Sequence, residues 1–433
     1  MKILKPGIVP ALCLTVIQGL YAQAFEPEVT DTLPPPNATK SVANFSNVIG
    51  WEENETPKAP DGFKVTKFAE GFDNCRWMYV TSNGDVLVAE SNSNHPFLEK
   101  VGGTIIGASK SNNLSKSADR ITLLRDQNKD GIPEVHDVFL ADLAQPLGML
   151  VLGEWFYVAN TDAIWRFPYQ PGQTRILGDG QKIADLPAGK HNRHWTRNII
   201  ASKDGKKLYV AIGSGSNIAE FGLDNELLRA CILEMDPDGS NERVYAGGLR
   251  NPVGMAWAPG TKTLWTVVNE RDELGDDLVP DYLTSVRDGG FYGWPYTYYG
   301  NHEDTRVKDP RPEAANEVIV PDMAMGAHTA SLGLTFYEHS AFPKKYRNGA
   351  FVAQHGSWNR STLSGYKVVF VPFNNGRPSG KPEDFLTGFI ADLDKEKVRG
   401  RPVGLTVMPD GSMLVADDVN GIIWRVAADS GGK

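Results

Sequence analysis

The chain has 433 residues, 41% hydrophobic and 22% charged, with a formal net charge of −9. This is ordinary globular chemistry, neither disordered nor membrane-embedded. The acidic balance argues against nucleic acid or an anionic membrane as partner, although it leaves room for a local basic pocket.

Lys2 and Lys5 form a short positive region, followed by an apolar run from Ile8 to Leu20 and the small-x-small site Ala22-Gln23-Ala24. That order is a secretory signal peptide over residues 1–24, so a periplasmic or secreted mature chain is expected. The run is too short to span a bilayer, and no membrane span is expected in the mature chain. An uncleaved anchor is the alternative. Cys13 leaves with the signal, and Cys75 and Cys231 remain. They either form one disulfide or stay as buried free thiols. Residues 25–60, with Pro34-Pro35-Pro36 and weak periodicity, read as an N-terminal leader segment.

From Gly62 onward, turn signals precede short apolar runs again and again. Asn83-Gly84 precedes Val86-Leu87-Val88, Gly153 precedes Trp155–Val158, and Asp204-Gly205 precedes Leu208-Tyr209-Val210. Gly260, Asn348-Gly349 and Asp410-Gly411 open three more such units. Each is a turn tolerating positive φ, then a strand rich in β-branched and aromatic residues. Recurrence of about 60 residues per unit predicts an all-β, six-bladed β-propeller over residues 61–433. A sandwich or barrel is the runner-up, though the strand units are too many for one typical sandwich.

Polar segments interrupt this pattern next to strands. The first in chain order, Asp126-Gln127-Asn128-Lys129-Asp130-Gly131, with Glu134 beyond, matches the opening of a calcium loop. Asp126, Asn128, Asp130 and Glu134 would be its ligands, and a polar hairpin is the equal alternative. Next, Gly189–Asn198 places Lys190, His191, Arg193, His194 and Arg197 just before a strand. A His there can take a proton near neutral pH; a solvated surface loop is the bland alternative. Gly247–Ala256 offers Arg250, whose planar fork suits carboxylates, or which simply satisfies strand-end carbonyls. Asn269–Leu278 carries five acidic side chains in eight positions, Glu270 to Asp277, suiting a hard, oxygen-ligated cation such as calcium or merely solvent. His328, then His355 and Arg360, then Arg399 and Arg401 add imidazoles and cations beside later strands. Arg250, Arg399, Arg401 and the histidines in one channel would imply a polyanionic small ligand. Glycine fingerprints for nucleotides and Walker sequences are absent.

Taken in order, Gly248-Leu249-Arg250-Asn251-Pro252, the acidic loop, Gly289-Gly290-Phe291-Tyr292-Gly293-Trp294-Pro295 and Gly400-Arg401-Pro402-Val403-Gly404 resemble the soluble aldose dehydrogenases that depend on pyrroloquinoline quinone (PQQ). The sorbosone-dehydrogenase-like branch is the nearer match, over about residues 60–428. The resemblance implies PQQ over the central channel, with calcium. It implies His194 as catalytic base and Arg250 stabilising developing negative charge. Gln145, Asn251, Arg399 and Arg401 would lie near the cofactor, and His328, His355 or Arg360 would add to its site. Backbone carbonyls near Arg271 and Asp272, with Asp276 and Asp277 in the same loop, would hold calcium. Hydride would pass from a sugar or aldehyde to the quinone, and a cytochrome or quinone would serve as electron acceptor. Three departures put glucose in doubt as substrate: Ser214 stands where glucose-oxidising members carry an Asp, Val253 where they carry a Gln, and their cofactor lysine has no clear equivalent. The rival readings are a calcium-dependent propeller lactonase or hydrolase, and a non-catalytic carbohydrate-binding propeller.

Overall fold

In the computed structural model, the described residues are 33–94, 108–111, 115–312, 315 and 317–429. The expected signal peptide lies outside them. Among the described residues the regular structure is strands with a few short 3-10 turns, and no helix is long and apolar enough to cross a membrane.

Six sheets have four or more strands. In five of them four strands follow one another up and down in chain order. The first has Cys75–Val80, Val86–Glu90, Arg120–Arg125 and Val135–Leu140; the second has Gly148–Leu152, Trp155–Ala159, Ala163–Pro168 and Gln181–Asp185. The third has Arg197–Ala201, Leu208–Ile212, Cys231–Met235 and Arg243–Gly247, with Gly290–Phe291 added in parallel. The fourth joins Pro252–Trp257, Leu264–Val268, Pro280–Val286 and Met323–Ala327, and the fifth Ser331–Phe336, Ala350–Gln354, Lys367–Val371 and Glu383–Leu386. In the sixth, Pro402–Val407, Met413–Asp417 and Ile422–Ala428 are completed by Phe63–Glu70, which pairs antiparallel with Ile422–Ala428. An early strand and the last strands among the described residues thus share one sheet.

All six turn signals fall between the first and second strand of a sheet. Gly84, Gly153, Gly205, Gly260 and Gly411 take positive φ there, and in the fifth sheet Asn348 takes it at 60°. The first strands neighbour one another in a closed cycle. Glycine permits that closeness: a Cβ on Gly254 would stand 2.6 Å from the Leu334 amide nitrogen, and one on Gly404 would stand 2.7 Å from the Arg76 carbonyl. Burial follows the layering. Val86–Glu90, Leu208–Ile212, Leu264–Val268, Ala350–Gln354 and Met413–Asp417 are buried throughout, whereas the outer strand Gln181–Asp185 has no buried residue. Apolar clusters fill the spaces between successive sheets. Trp265, Val267 and Leu283 of the fourth pack with Val352 and Val369 of the fifth.

Residues of the expected leader run across loops of one face. Ser41 Oγ accepts from the Gly275 amide at 3.0 Å, and Thr39 Oγ1 from the Asp276 amide at 2.7 Å. Phe45 stacks on Trp358, and Asn47–Val48 pairs in parallel with Lys397–Val398. Trp51 meets Trp424 edge-on and donates from Nε1 to Asp417 at 2.8 Å. Cys75 and Cys231 are both free and buried, which decides between the two alternatives left open for them.

Candidate cofactor and substrate cavity

A strand's first residue fixes the direction of the loop that enters it. Here the entries to first strands converge. Arg76, Trp195, Asn251, Ala330 and Arg401 each sit within two residues of the start of a first strand, and all line one cavity of about 400 Å³. His194, Arg250, Asp272, His328 and His355 line it too. So do Arg193, Asn217, Glu273 and Trp358. The lining arginines outnumber the lining carboxylates by four to two.

Three histidines on this cavity have three different settings. His194 Nδ1 lies 2.9 Å from both the carbonyl and the hydroxyl oxygen of Ser214. The Ser214 hydroxyl itself donates to the Ser216 carbonyl at 2.6 Å. Burial first, then the Arg250 charge, hold the His194 pKa well below 6.5. His328 faces oxygen on both sides, with Nε2 2.8 Å from the Gly275 carbonyl and Nδ1 3.4 Å from Asp272 Oδ1. Burial alone would lower its pKa, yet the Asp272 carboxylate and the Gly275 carbonyl raise it. Asp272 in turn is held below its ordinary value because His328 and Arg250 outweigh its own burial. His355 Nε2 contacts both oxygens of Asp418, at 2.9 and 3.0 Å. Burial and then Arg401 nonetheless bring His355 down to about 4.

Arg250 is 2% exposed and fully engaged. Nε donates to the Asn217 carbonyl at 3.3 Å, Nη1 to the Glu270 carbonyl at 2.6 Å and the Asn269 carbonyl at 3.2 Å. Nη2 reaches Asn217 Oδ1 at 2.8 Å and Asp272 Oδ2 at 3.1 Å. Arg401 donates through Nε to the His355 carbonyl and through Nη2 to the Gly356 carbonyl, both at 3.0 Å. Arg76 pairs with Asp418 at 2.5 Å and lies over the Trp195 ring. Its Nε, like Asn251 Oδ1, is buried without a hydrogen-bond partner. Gly213 lets the site close up, since a Cβ there would stand 2.5 Å from His194 Cβ and would also collide with Asn251 Oδ1.

Other sequence candidates lie elsewhere. Gln145 donates to the Asn92 carbonyl and lines a second cavity of about 900 Å³, which shares Arg193 and Trp195 with the first. Arg399 forms two 2.7 Å bonds to Glu55 and does not line either cavity. Arg360 is spent on the Asp276 carbonyl and the Asp277 carboxylate, so those two acids serve a loop contact. Asp126, Asn128, Asp130 and Glu134 accept hydrogen bonds from amides of their own hairpin: Gly131 to Asp126, Asp130 to Asn128, Ile132 to Asp130, and Gln127 to Glu134. Among the described residues, no three His, Cys, Asp or Glu side chains form a group that would hold a metal ion. Arg76 and Asn217 were not singled out from the sequence as site residues, and Ser214 was named only as standing where glucose-oxidising relatives carry an Asp that orients the base. Arg76 shares the strand-entry position of Arg401 and was findable by that rule; Asn217, in an irregular loop, carries no such signal.

The residues fit PQQ, a planar tricarboxylate. The cavity has a cation surplus and aromatic walls at Trp195 and Trp358. Its volume falls within the usual range for small-ligand sites. Of the carbonyls expected to hold calcium, that of Asp272 is already engaged. The Asp272 carbonyl already accepts from Arg271 Nε at 3.1 Å and Nη2 at 2.6 Å, so a cation there would face a guanidinium.

Fold and cavity together define an all-β, propeller-type protein with a cation-rich ligand site at the entries of its inner strands. The chain belongs to the TrAA12-like family, whose model matches residues 57–281 and 299–429. The resemblance drawn from the motifs is to that same group of PQQ-dependent soluble sugar dehydrogenases. The chain is 34% identical to an uncharacterised protein of Borreliella burgdorferi over 57% of its length and 64% of the relative's. It is 25% identical to an aldose sugar dehydrogenase of Escherichia coli over 39% of this chain and 41% of that one. With a PQQ-dependent pyranose dehydrogenase of Coprinopsis cinerea it shares 22% over 86% of this chain and 54% of the other. Each alignment therefore spans less than two thirds of the relative. The PQQ domain of the Coprinopsis enzyme superposes with a TM-score of 0.67 at 20% identity, covering 88% of this chain and all of that one. A Trichoderma reesei family AA12 structure with calcium gives 0.68 at 19%, covering 86% and 97%. At these identities the superpositions show a shared fold.

Proposed function

We propose that the chain is a six-bladed propeller dehydrogenase that oxidises sugars or sugar-like aldehydes, sorbosone-like substrates among them, with PQQ. The six sheets are read as the six blades. One observation carries the reading: a half-buried imidazole, its pKa pushed down by desolvation and Arg250, stands beside fixed cations in a cavity that suits a planar polyanion. The relatives' names support the reading.

Arg76, Arg401 and Asn251 would hold the carboxylates and ring edge of the cofactor. When bound, PQQ supplies an ortho-quinone that accepts hydride from the substrate's carbinol carbon. His194 Nε2 takes the substrate hydroxyl proton, a contribution typically worth roughly 10²–10⁴-fold. Arg250 has its donors committed, so it acts as a fixed positive charge on the transition state. His328 and Asp272 hold that charge in place. No step is assigned to calcium. A cytochrome or quinone would collect the electrons, in the periplasm or outside the cell.

The test is reconstitution. Apo-protein given PQQ, with and without calcium, is assayed for dye reduction on a panel of aldoses and aldehydes. Reduction that requires PQQ supports the reading. Absence of both reduction and bound-quinone absorbance overturns it, and lactone hydrolysis without PQQ would favour the hydrolase instead.

A further inference from the structure

The loop Gly213–Asn217 touches both functional side chains. Ser214 holds His194, Asn217 holds Arg250, and the Ser214 amide donates to the Arg250 carbonyl at 2.8 Å. Ser214 is fully buried. Its hydroxyl has a single hydrogen, and that hydrogen has a carbonyl acceptor at Ser216. The oxygen lone pairs therefore face His194, beside the Ser214 carbonyl. Two acceptors on Nδ1 require Nδ1 to carry the proton. No carboxylate sits on that nitrogen.

We infer that Ser214 is a positioning residue: it fixes His194 in the Nδ1–H tautomer through a neutral hydroxyl and carbonyl, leaving Nε2 as the free acceptor. The inference rests on reading His194 as the base, and it adds how the proton-accepting atom is chosen. The charged groups facing His194 are Arg250, Asp272 and Arg193. Two of these three are cations, and the Ser214 carbonyl at Nδ1 and Asp272, which favour the protonated ring, are outweighed by burial and Arg250. The base is thereby kept neutral in acid. A carboxylate on Nδ1 would raise its proton affinity further than a neutral hydroxyl and carbonyl do. The site should remain competent at pH values where an ordinary histidine is already charged.

The experiment is 15N NMR of the full-length apo-protein labelled in its eight histidines, with His194 assigned by its loss in His194→Gln. The expected result is an Nδ1–H signal for His194 that persists below pH 6.5. An Nε2–H signal, or titration at the ordinary histidine pH, would overturn the inference without reference to turnover. Ser214→Asp should move that titration, and the acid limb of kcat, upward by about one pH unit or more. Ser214→Ala keeps the carbonyl and loses the hydroxyl. It should lower kcat about 2–10-fold with KM unchanged, the worth of one hydrogen bond. Wild-type kcat in Ser214→Ala would remove the hydroxyl from the account. If Ser214→Asp does not fold, the wild-type tautomer and the alanine variant still decide. Failure of the PQQ reconstitution would sink the proposed activity and leave the tautomer measurement standing.

Discussion

Asn217 grips Arg250 from two directions: its backbone carbonyl accepts from Nε and its side-chain oxygen from Nη2. The same side-chain oxygen takes the Asp272 amide at 3.0 Å, and the same carbonyl takes Trp294 Nε1 at 3.0 Å. One asparagine thus ties the guanidinium to the acidic loop and to the Gly289–Pro295 motif. Arg250→Lys should fail here, because a point-charge ammonium cannot satisfy acceptors arranged for a planar fork. The buried oxygens left unmet should cost about 2–4 kcal/mol, read as a lowered urea midpoint at unchanged slope.

His194→Gln should keep the cavity and lose the base. Turnover should drop by roughly 10²–10⁴-fold, while PQQ still binds, as followed by quinone absorbance.

Arg399 and Arg401 are two residues apart but face different tasks. Arg401 lines the cavity, and Arg399 is paired with Glu55 in a partly exposed bridge. Arg401→Ala should weaken PQQ binding at least tenfold in an equilibrium titration, the scale of one charged hydrogen bond. Arg399→Ala should leave turnover within twofold and change stability by no more than about 1 kcal/mol.

Stability should depend on His355. Its folded-state pKa of about 4 lies below the ordinary 6.5, because burial and Arg401 disfavour the charged ring. The unfolded chain binds the extra proton first, so stability is present above pH 6.5 and is lost as pH falls from 6.5 toward 4. Between pH 7 and 4.5 this group should account for on the order of 2 kcal/mol. Urea melts of wild type and His355→Gln at both pH values check it, since the variant should show the smaller acid loss.

Much of this arrangement was legible in the chain. Turn residues marked the first-to-second strand hairpin of all six large sheets, glycine in five and Asn348 in the other, because positive φ is needed there and leaves a composition signal. Residues at strand entries, such as His194, Arg250 and Arg401, could be placed because the strand fixes the entry point. Long-range pairing could not be read. Nothing local shows that Arg399 meets Glu55, 344 positions away, while its near neighbour Arg401 turns inward. The acidic loop looked like a cation site by composition. Among its oxygens, the carboxylates of Asp272 and Asp277 accept from Arg250 and Arg360, and the Asp272 carbonyl accepts from Arg271. The Asp126–Glu134 loop similarly spends its oxygens on its own amides.

The most direct measurement is a PQQ titration of the apo-protein followed by addition of an aldose, reading the quinone spectrum for wild type and for an Arg76→Ala, Arg401→Ala double variant. Saturable binding by wild type, bleaching of the bound quinone by sugar, and loss of binding in the variant are the predicted results. Equal binding by both proteins, or a bound quinone that no aldose or aldehyde reduces, would contradict the account.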